Sequence, residues 1–146
     1  MTPIRRPERL TKFSYRAHPH VYEINTWVWC EELSAKSGRC LSLQDIPDEE
    51  WDRLADLGFD FVYLMGVWRR SLIGRRIFRT DLRSFRDFDA ALPAWKVSDV
   101  VGSPFSIQDY NPDPRIATAE GLRKIHHQLR RRGMGLILDF AEPHGL

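Results

Sequence analysis

A chain of 146 residues with 42% apolar and 29% charged side chains has the make-up of one globular domain and is too short for two. Its formal net charge of +2, with basic and acidic residues interspersed, gives no general attraction to nucleic acid or to a membrane surface. Cys30 and Cys40 stand apart without a C-x-x-C pair and give no disulfide framework. With no apolar leader and no run of membrane-spanning length, a reduced cytoplasmic setting is expected.

Residues 1–20 are polar, basic and punctuated by proline, and read as a flexible arm. Residues 21–29, rich in β-branched and aromatic types, predict a strand. Pro47 is placed to open a helix, with Asp48, Glu49 and Glu50 at the positive end of its dipole. Trp51, Leu54, Ala55 and Leu57 would form its apolar stripe and Gly58 its stop. Residues 59–65 predict a second strand, followed by an irregular stretch to about 117 with one short helix near 81–92. Thr118 is the expected cap of another helix, on which Leu122, Ile125, His126 and Leu129 are spaced to share a face. Arg130, Arg131 and Arg132 favour its C-terminal end, and Gly133 ends it. Residues 134–140 form a near-continuous apolar run, the pattern of a strand buried on both faces.

Strand, helix, strand, long connection, helix, strand amounts to two successive βαβ units, hence a parallel sheet with right-handed crossovers. The connection 66–117 far exceeds the roughly 15 residues usual for an unstructured loop, so it is expected to overhang a binding face. It holds the one break in charge balance: Arg69, Arg70, Arg75, Arg76, Arg79, Arg83 and Arg86 against Asp81 alone. That stretch reads as a solvated surface loop, with a phosphate-binding patch as the alternative.

Three stretches together resemble the alpha-amylase family of glycoside hydrolases. Val21–Trp29 is similar to the family's first barrel strand, Pro104–Tyr110 to its G-Y-D-x-x-D-Y segment after strand two, and Arg132–Phe140 to its strand-three motif R-G-x-x-V-I-L-D-F. The resemblance implies an α/β fold, a partial TIM (β/α)8 barrel comprising the first three parallel strands with their helices, over residues 21–146 with 66–117 inserted. It also implies a substrate-binding role for five residues. Phe105 falls where the family has a sugar-stacking tyrosine, and Ser106 replaces an aspartate. Asp109 and Tyr110 match, and Asp139 matches an aspartate that shapes the sugar site. His144 lands on a sugar-binding histidine and Pro143 on an asparagine tied to calcium in the family, so no cofactor is expected. Plainer readings make Phe105 a packing residue and Asp109 the holder of a turn.

The family's nucleophile, acid and third carboxylate come from strands four, five and seven. The resemblance therefore implies an α-glucoside hydrolase or transglycosylase in which this chain alone is inactive. Where the family continues Val-Pro-Asn-His, the chain reads Ala141-Glu142-Pro143-His144, a change that a shift of reading frame would produce. His18 with His20, and His126 with His127 (one expected to face the core), read as structural. Asp139, Glu142 and His144 form a small acidic-histidine cluster, whose spacing has no strong precedent as a metal site, and no Gly-rich phosphate loop, nucleophile elbow or paired C-x-x-C motif is present. Partners expected are the sugar and, through exposed sheet edges, a second chain; neither nucleic acid nor membrane is expected. Two other readings stand beside this one: a complementing or carbohydrate-binding fragment that needs a partner chain, and a small α/β domain that binds phosphate or nucleic acid through its arginines.

Overall fold

A computed structural model of the chain describes residues 16–141. Three parallel strands, β1 (Val21–Asn25), β2 (Phe61–Met65) and β5 (Gly135–Leu138), form a sheet in the order β1-β2-β5. Tyr22 lies opposite Val62, which lies opposite Leu136; Ile24, Leu64 and Leu138 form the next row. These two rows face the helices α1 (Thr26–Ser37), α2 (Asp48–Asp56) and α5 (Ala119–Arg131). Ile24, Val62 and Leu64 are buried there with Trp51, Leu54, Ile125 and Leu129. Full burial of an aliphatic side chain of this size contributes roughly 1.5–3 kcal/mol.

The first predicted strand is shorter than its sequence suggests. β1 ends at Asn25, and Trp27, Val28 and Trp29 belong to α1. Local composition favours a strand, but Thr26, Cys30 and Leu33 recur at helical spacing and are buried together, so packing overrides propensity. Gly38, at φ 68°, ends the helix in the left-handed conformation.

α2 begins at Asp48, directly after Pro47, with its three acidic residues in the first turn. Trp51 and Leu54 are buried as expected, whereas Leu57 is 61% exposed beyond the helix end. Thr118 caps α5 by accepting a hydrogen bond from Gly121 N. Ile125 and Leu129 face the core, but His126 and His127 are both exposed, since the buried stripe is Gly121, Ile125 and Leu129. Arg132, just past α5, donates to Asp52 at 2.6 Å and ties the two helices together. Gly121 is fixed by close approach: a Cβ there would lie 3.1 Å from Gln44 Cβ.

β5 is not buried on both faces. Leu136, Ile137 and Leu138 are half-buried, because among the described residues helices cover only one side of the sheet. The other side carries Val21, Glu23 and Asn25, all exposed, beside half-buried Phe61, Tyr63 and Met65.

The connection after β2 is more ordered than its composition predicts. It contains β3 (Trp68–Arg70), α3 (Leu72–Thr80), α4 (Leu82–Ala91) and β4 (Ile107–Pro112). α4 falls where the short helix is predicted; α3 and the strands are not foreseen. β3 and β4 pair antiparallel, with Trp68 opposite Pro112, Arg69 opposite Asp109 and Arg70 opposite Ile107. Near the chain start, Arg16 and His20 are held by Asp60, which accepts from Arg16 Nε at 3.1 Å and from His20 N at 2.7 Å.

Candidate functional site

The C-terminal ends of parallel strands are where α/β folds build their sites. Here that edge is organised around Asp139, the residue following β5, which is buried. The alternation of strand side chains puts Tyr63 and Asp139 on the same, helix-free face. Tyr63 Oη donates to Asp139 Oδ1, and Gly66 N donates to Asp139 Oδ2 at 2.6 Å. Burial, reinforced by the bond to the carboxylate and by its negative charge, pushes the Tyr63 phenol well above the ordinary tyrosine range. Gly66 has φ 79°, and a Cβ at that position would lie 3.0 Å from Pro104 Cβ. Only glycine therefore presents this N–H without strain.

An aromatic tier adjoins the carboxylate. Trp68 Nε1 donates to the Asp139 carbonyl at 2.9 Å. The Trp68 ring meets Tyr110 edge-on at 5.4 Å, and Tyr110 stacks on Phe140 at 5.7 Å with 13° between the planes. Tyr110 Oη is tied to the backbone of Ala141 as both donor and acceptor. Phe140 is 90% exposed, so one ring of the tier is open to solvent. With both oxygens already accepting, Asp139 is an acceptor held in place. It can receive further hydroxyl donors on its remaining lone pairs.

Of the residues singled out in the sequence, Tyr110 and Asp139 are thus brought to one rim. Asp109, adjacent to Tyr110 on β4, points to the opposite face of the strand. There it accepts from Asn111 N at 2.8 Å, a turn-holding contact, and lies 3.8 Å from Arg69. Phe105 precedes β4 and is 48% exposed. Glu142, Pro143 and His144 lie outside the described residues. Among the described residues no three His, Cys, Asp or Glu side chains converge as a metal site would require.

Several residues of the rim escape sequence reading. Tyr63 and Gly66 reach Asp139 across 76 and 73 positions of chain, and no local pattern reports such pairs. Asp113 and Arg115 likewise form a pair that no sequence motif announces. Arg115 donates from Nε and Nη2 to the two Asp113 oxygens at 3.0 and 2.8 Å. Burial alone would raise the Asp113 carboxyl, but the hydrogen bonds and charge of Arg115, aided by Arg70, hold it below its ordinary value. The arginine-rich stretch is not a solvated loop but lies on β3, α3 and α4. Arg70 donates to Gly102 O, and Arg79 donates to Val100 O at 3.1 Å. The guanidinium groups of Arg70 and Arg115 lie over the Trp27 ring at 4.9 and 4.5 Å.

No family profile and no curated protein matches the sequence. Among solved structures, the chain is similar to an alpha-amylase from Lactobacillus plantarum, with a TM-score of 0.55 at 17% identity over 84% of this chain. It spans 22% of that protein's length. Weaker likenesses, with TM-scores of 0.47 and 0.43 at 19% identity, are to an alpha-amylase from Geobacillus thermoleovorans complexed with acarbose and to a type III pullulan hydrolase from Thermococcus kodakarensis. These cover 84% and 86% of this chain and 22% and 17% of those proteins. At such identity the first likeness bears on fold alone. The fold is α/β, with a three-stranded parallel sheet and helices that resemble the N-terminal part of an amylase barrel. The sheet does not close. No helix among the described residues is long and apolar enough to cross a membrane.

Proposed function

We propose that this chain is the opening portion of an alpha-amylase-family glycosyl hydrolase or transglycosylase, and that it binds an α-glucoside along the rim formed by Asp139, Tyr110 and Phe140. The observation that carries this reading is the Asp139 carboxylate. It is fixed by Tyr63 and Gly66 at the C-terminal edge of the sheet, beside an aromatic tier with an open ring. A sugar presents hydroxyls that such a carboxylate accepts and an apolar C–H face that such rings cover. In this assignment Asp139 binds and does not transfer protons. Retaining hydrolysis needs two carboxyl groups about 5–5.5 Å apart across the bond, and these belong to other strands of the barrel.

A second reading is favoured by the uncovered face of the sheet: the chain complements a partner that supplies those strands. Both readings share the same sugar contacts.

Titration of the chain with maltotriose, followed by tryptophan fluorescence and by ¹H–¹⁵N NMR, tests the assignment. Saturable binding is expected. Tyr110→Ala and Asp139→Asn should each weaken it about tenfold or more, a loss of roughly 1.4 kcal/mol. Absence of binding, or binding indifferent to both substitutions in folded protein, would overturn it. Cleavage of maltotriose by the chain alone would overturn the division between binding and chemistry.

A further inference from the structure

A second concavity lies between the β3–β4 pair and the first turns of α3. It has a volume of about 180 Å³ and is lined by Arg69, Arg70, Arg75 and Arg115. That is small beside the roughly 300–1,000 Å³ of pockets for drug-sized ligands, so it suits a compact group. Among the described residues Asp113 is the one acidic residue in its lining, and both its oxygens accept from Arg115. Asp109 approaches Arg69 only to 3.8 Å, beyond hydrogen-bond range. Four arginines thus line the hollow, with Asp113 inside it and Asp109 beside it, so basic residues outnumber acidic ones there.

Two further observations point to a missing acceptor. Arg70 Nε is buried with no hydrogen-bond partner among the described residues, although the Nη1 of the same group donates to Gly102 O. Buried polar groups are almost always partnered, so an orphaned guanidinium N–H calls for an explanation. The Arg75 side chain likewise has no ion pair or hydrogen bond among the described residues. Burial also draws the Arg70 guanidinium below its ordinary range, against the opposing pull of the Asp113 and Asp139 carboxylates. The cations are nevertheless preorganised, because Arg70 and Arg115 are both held over the Trp27 ring. Leu72, at the start of α3, lines the same hollow, so the positive end of that helix dipole adds to the field.

We propose that this hollow is an oxyanion site for a phosphate dianion, free or as the monoester of a small molecule, with Arg69, Arg70, Arg75 and Arg115 as its ligands. Planar guanidinium forks match tetrahedral oxyanions through paired N–H donors, which lysines would not do. The excess of basic over acidic residues suits an anion of more than one charge. A nucleic-acid strand would instead need an open basic track with stacked aromatics, and the compact hollow is no such track. The hollow adjoins the sugar rim but shares no lining residue with it, and the proposal does not depend on the assignment made there.

The test titrates the full chain at constant ionic strength with orthophosphate, with glucose 6-phosphate, with glucose and with a short oligonucleotide, by NMR and calorimetry. Orthophosphate or the ester is expected to saturate the site, with shifts at Trp27 Nε1–H, while glucose leaves those signals unmoved. Tighter binding of the ester identifies a phosphorylated small molecule, and tighter binding of orthophosphate identifies the free ion. Arg75→Ala is expected to weaken binding at least tenfold with an unchanged melting temperature, because its side chain holds nothing else. Affinity should also fall between pH 7.5 and pH 5, as the second proton of a phosphate monoester returns near pH 6. If neither phosphate binds, if Arg75→Ala binds as well as the parent, or if only an oligonucleotide binds, the proposal is overturned.

Discussion

The Tyr63 hydroxyl donates to Asp139, joining the middle strand of the sheet to the residue that ends its last strand. Replacing Tyr63 with Phe leaves a buried carboxylate with one fewer donor, and should cost roughly 1–3 kcal/mol in urea unfolding. The phenol lies above its ordinary value of 10.0 in the folded chain, chiefly through burial. Its contribution is therefore complete below about pH 10 and is lost as pH rises through the folded value. Stability of the parent should fall in that alkaline range, and Tyr63→Phe should show a shallower fall. Identical alkaline limbs would rule this out.

Asp113 has the opposite sign. Its carboxyl is held below the ordinary value of 3.8 despite burial, because Arg115 and Arg70 favour its charged form. The stability it supplies is present above about pH 4 and disappears as pH falls through the folded value. Asp113→Asn should be less stable than the parent at pH 7 by about 1–3 kcal/mol. It should also lose less on acidification to pH 3, as read by thermal melts across that range. Equal acid slopes would contradict the assignment.

Cys30 and Cys40 should differ sharply in reactivity. Cys30 is buried, and that burial, with smaller contributions from nearby groups, pushes its thiol to about 12. Cys40 is exposed. Since the thiolate is the reacting species, a disulfide reagent at pH 8 should titrate one thiol in native protein and a second only in denaturant. Rapid modification of both under native conditions would be the contrary result.

The uncovered side of the sheet predicts association. Half-buried Phe61, Tyr63, Met65 and Ile137 line a face with no helix over it among the described residues, which likewise pair no strand with either outer edge. The 146-residue chain is expected to sediment as a concentration-dependent oligomer. Ile137→Lys, which puts a charge on that face, should shift it toward monomer. A monodisperse monomer with a sharp cooperative melt would refute the expectation.

What the sequence discloses and what it hides follow from the range of the interactions. Thr118 as a cap, Gly58 and Gly133 as stops, and the run ending in Asp139 are local features, and each stands where local chemistry puts it. β1 was read too long because Trp27, Val28 and Trp29 have strand-like propensity in a segment whose burial is helical. α3 stayed hidden because Arg69 to Arg79 reads as solvated charge. Only the fold reveals that Ser71 caps a helix there by accepting from Gly74 N. At the rim, Asp139 and Tyr110 could be singled out through family resemblance, but Tyr63, Gly66 and Trp68 owe their roles to contacts that only the folded sheet creates.

The two borders of the sheet are not equivalent. β1 carries Glu23 in its middle, exposed, whereas β5 is Gly135-Leu136-Ile137-Leu138 with no charge at all. Aligning two β1 borders would bring like carboxylates together, a standing deterrent to growth on that side. Accretion of further chains should thus begin at Gly135–Leu138 and proceed in one direction.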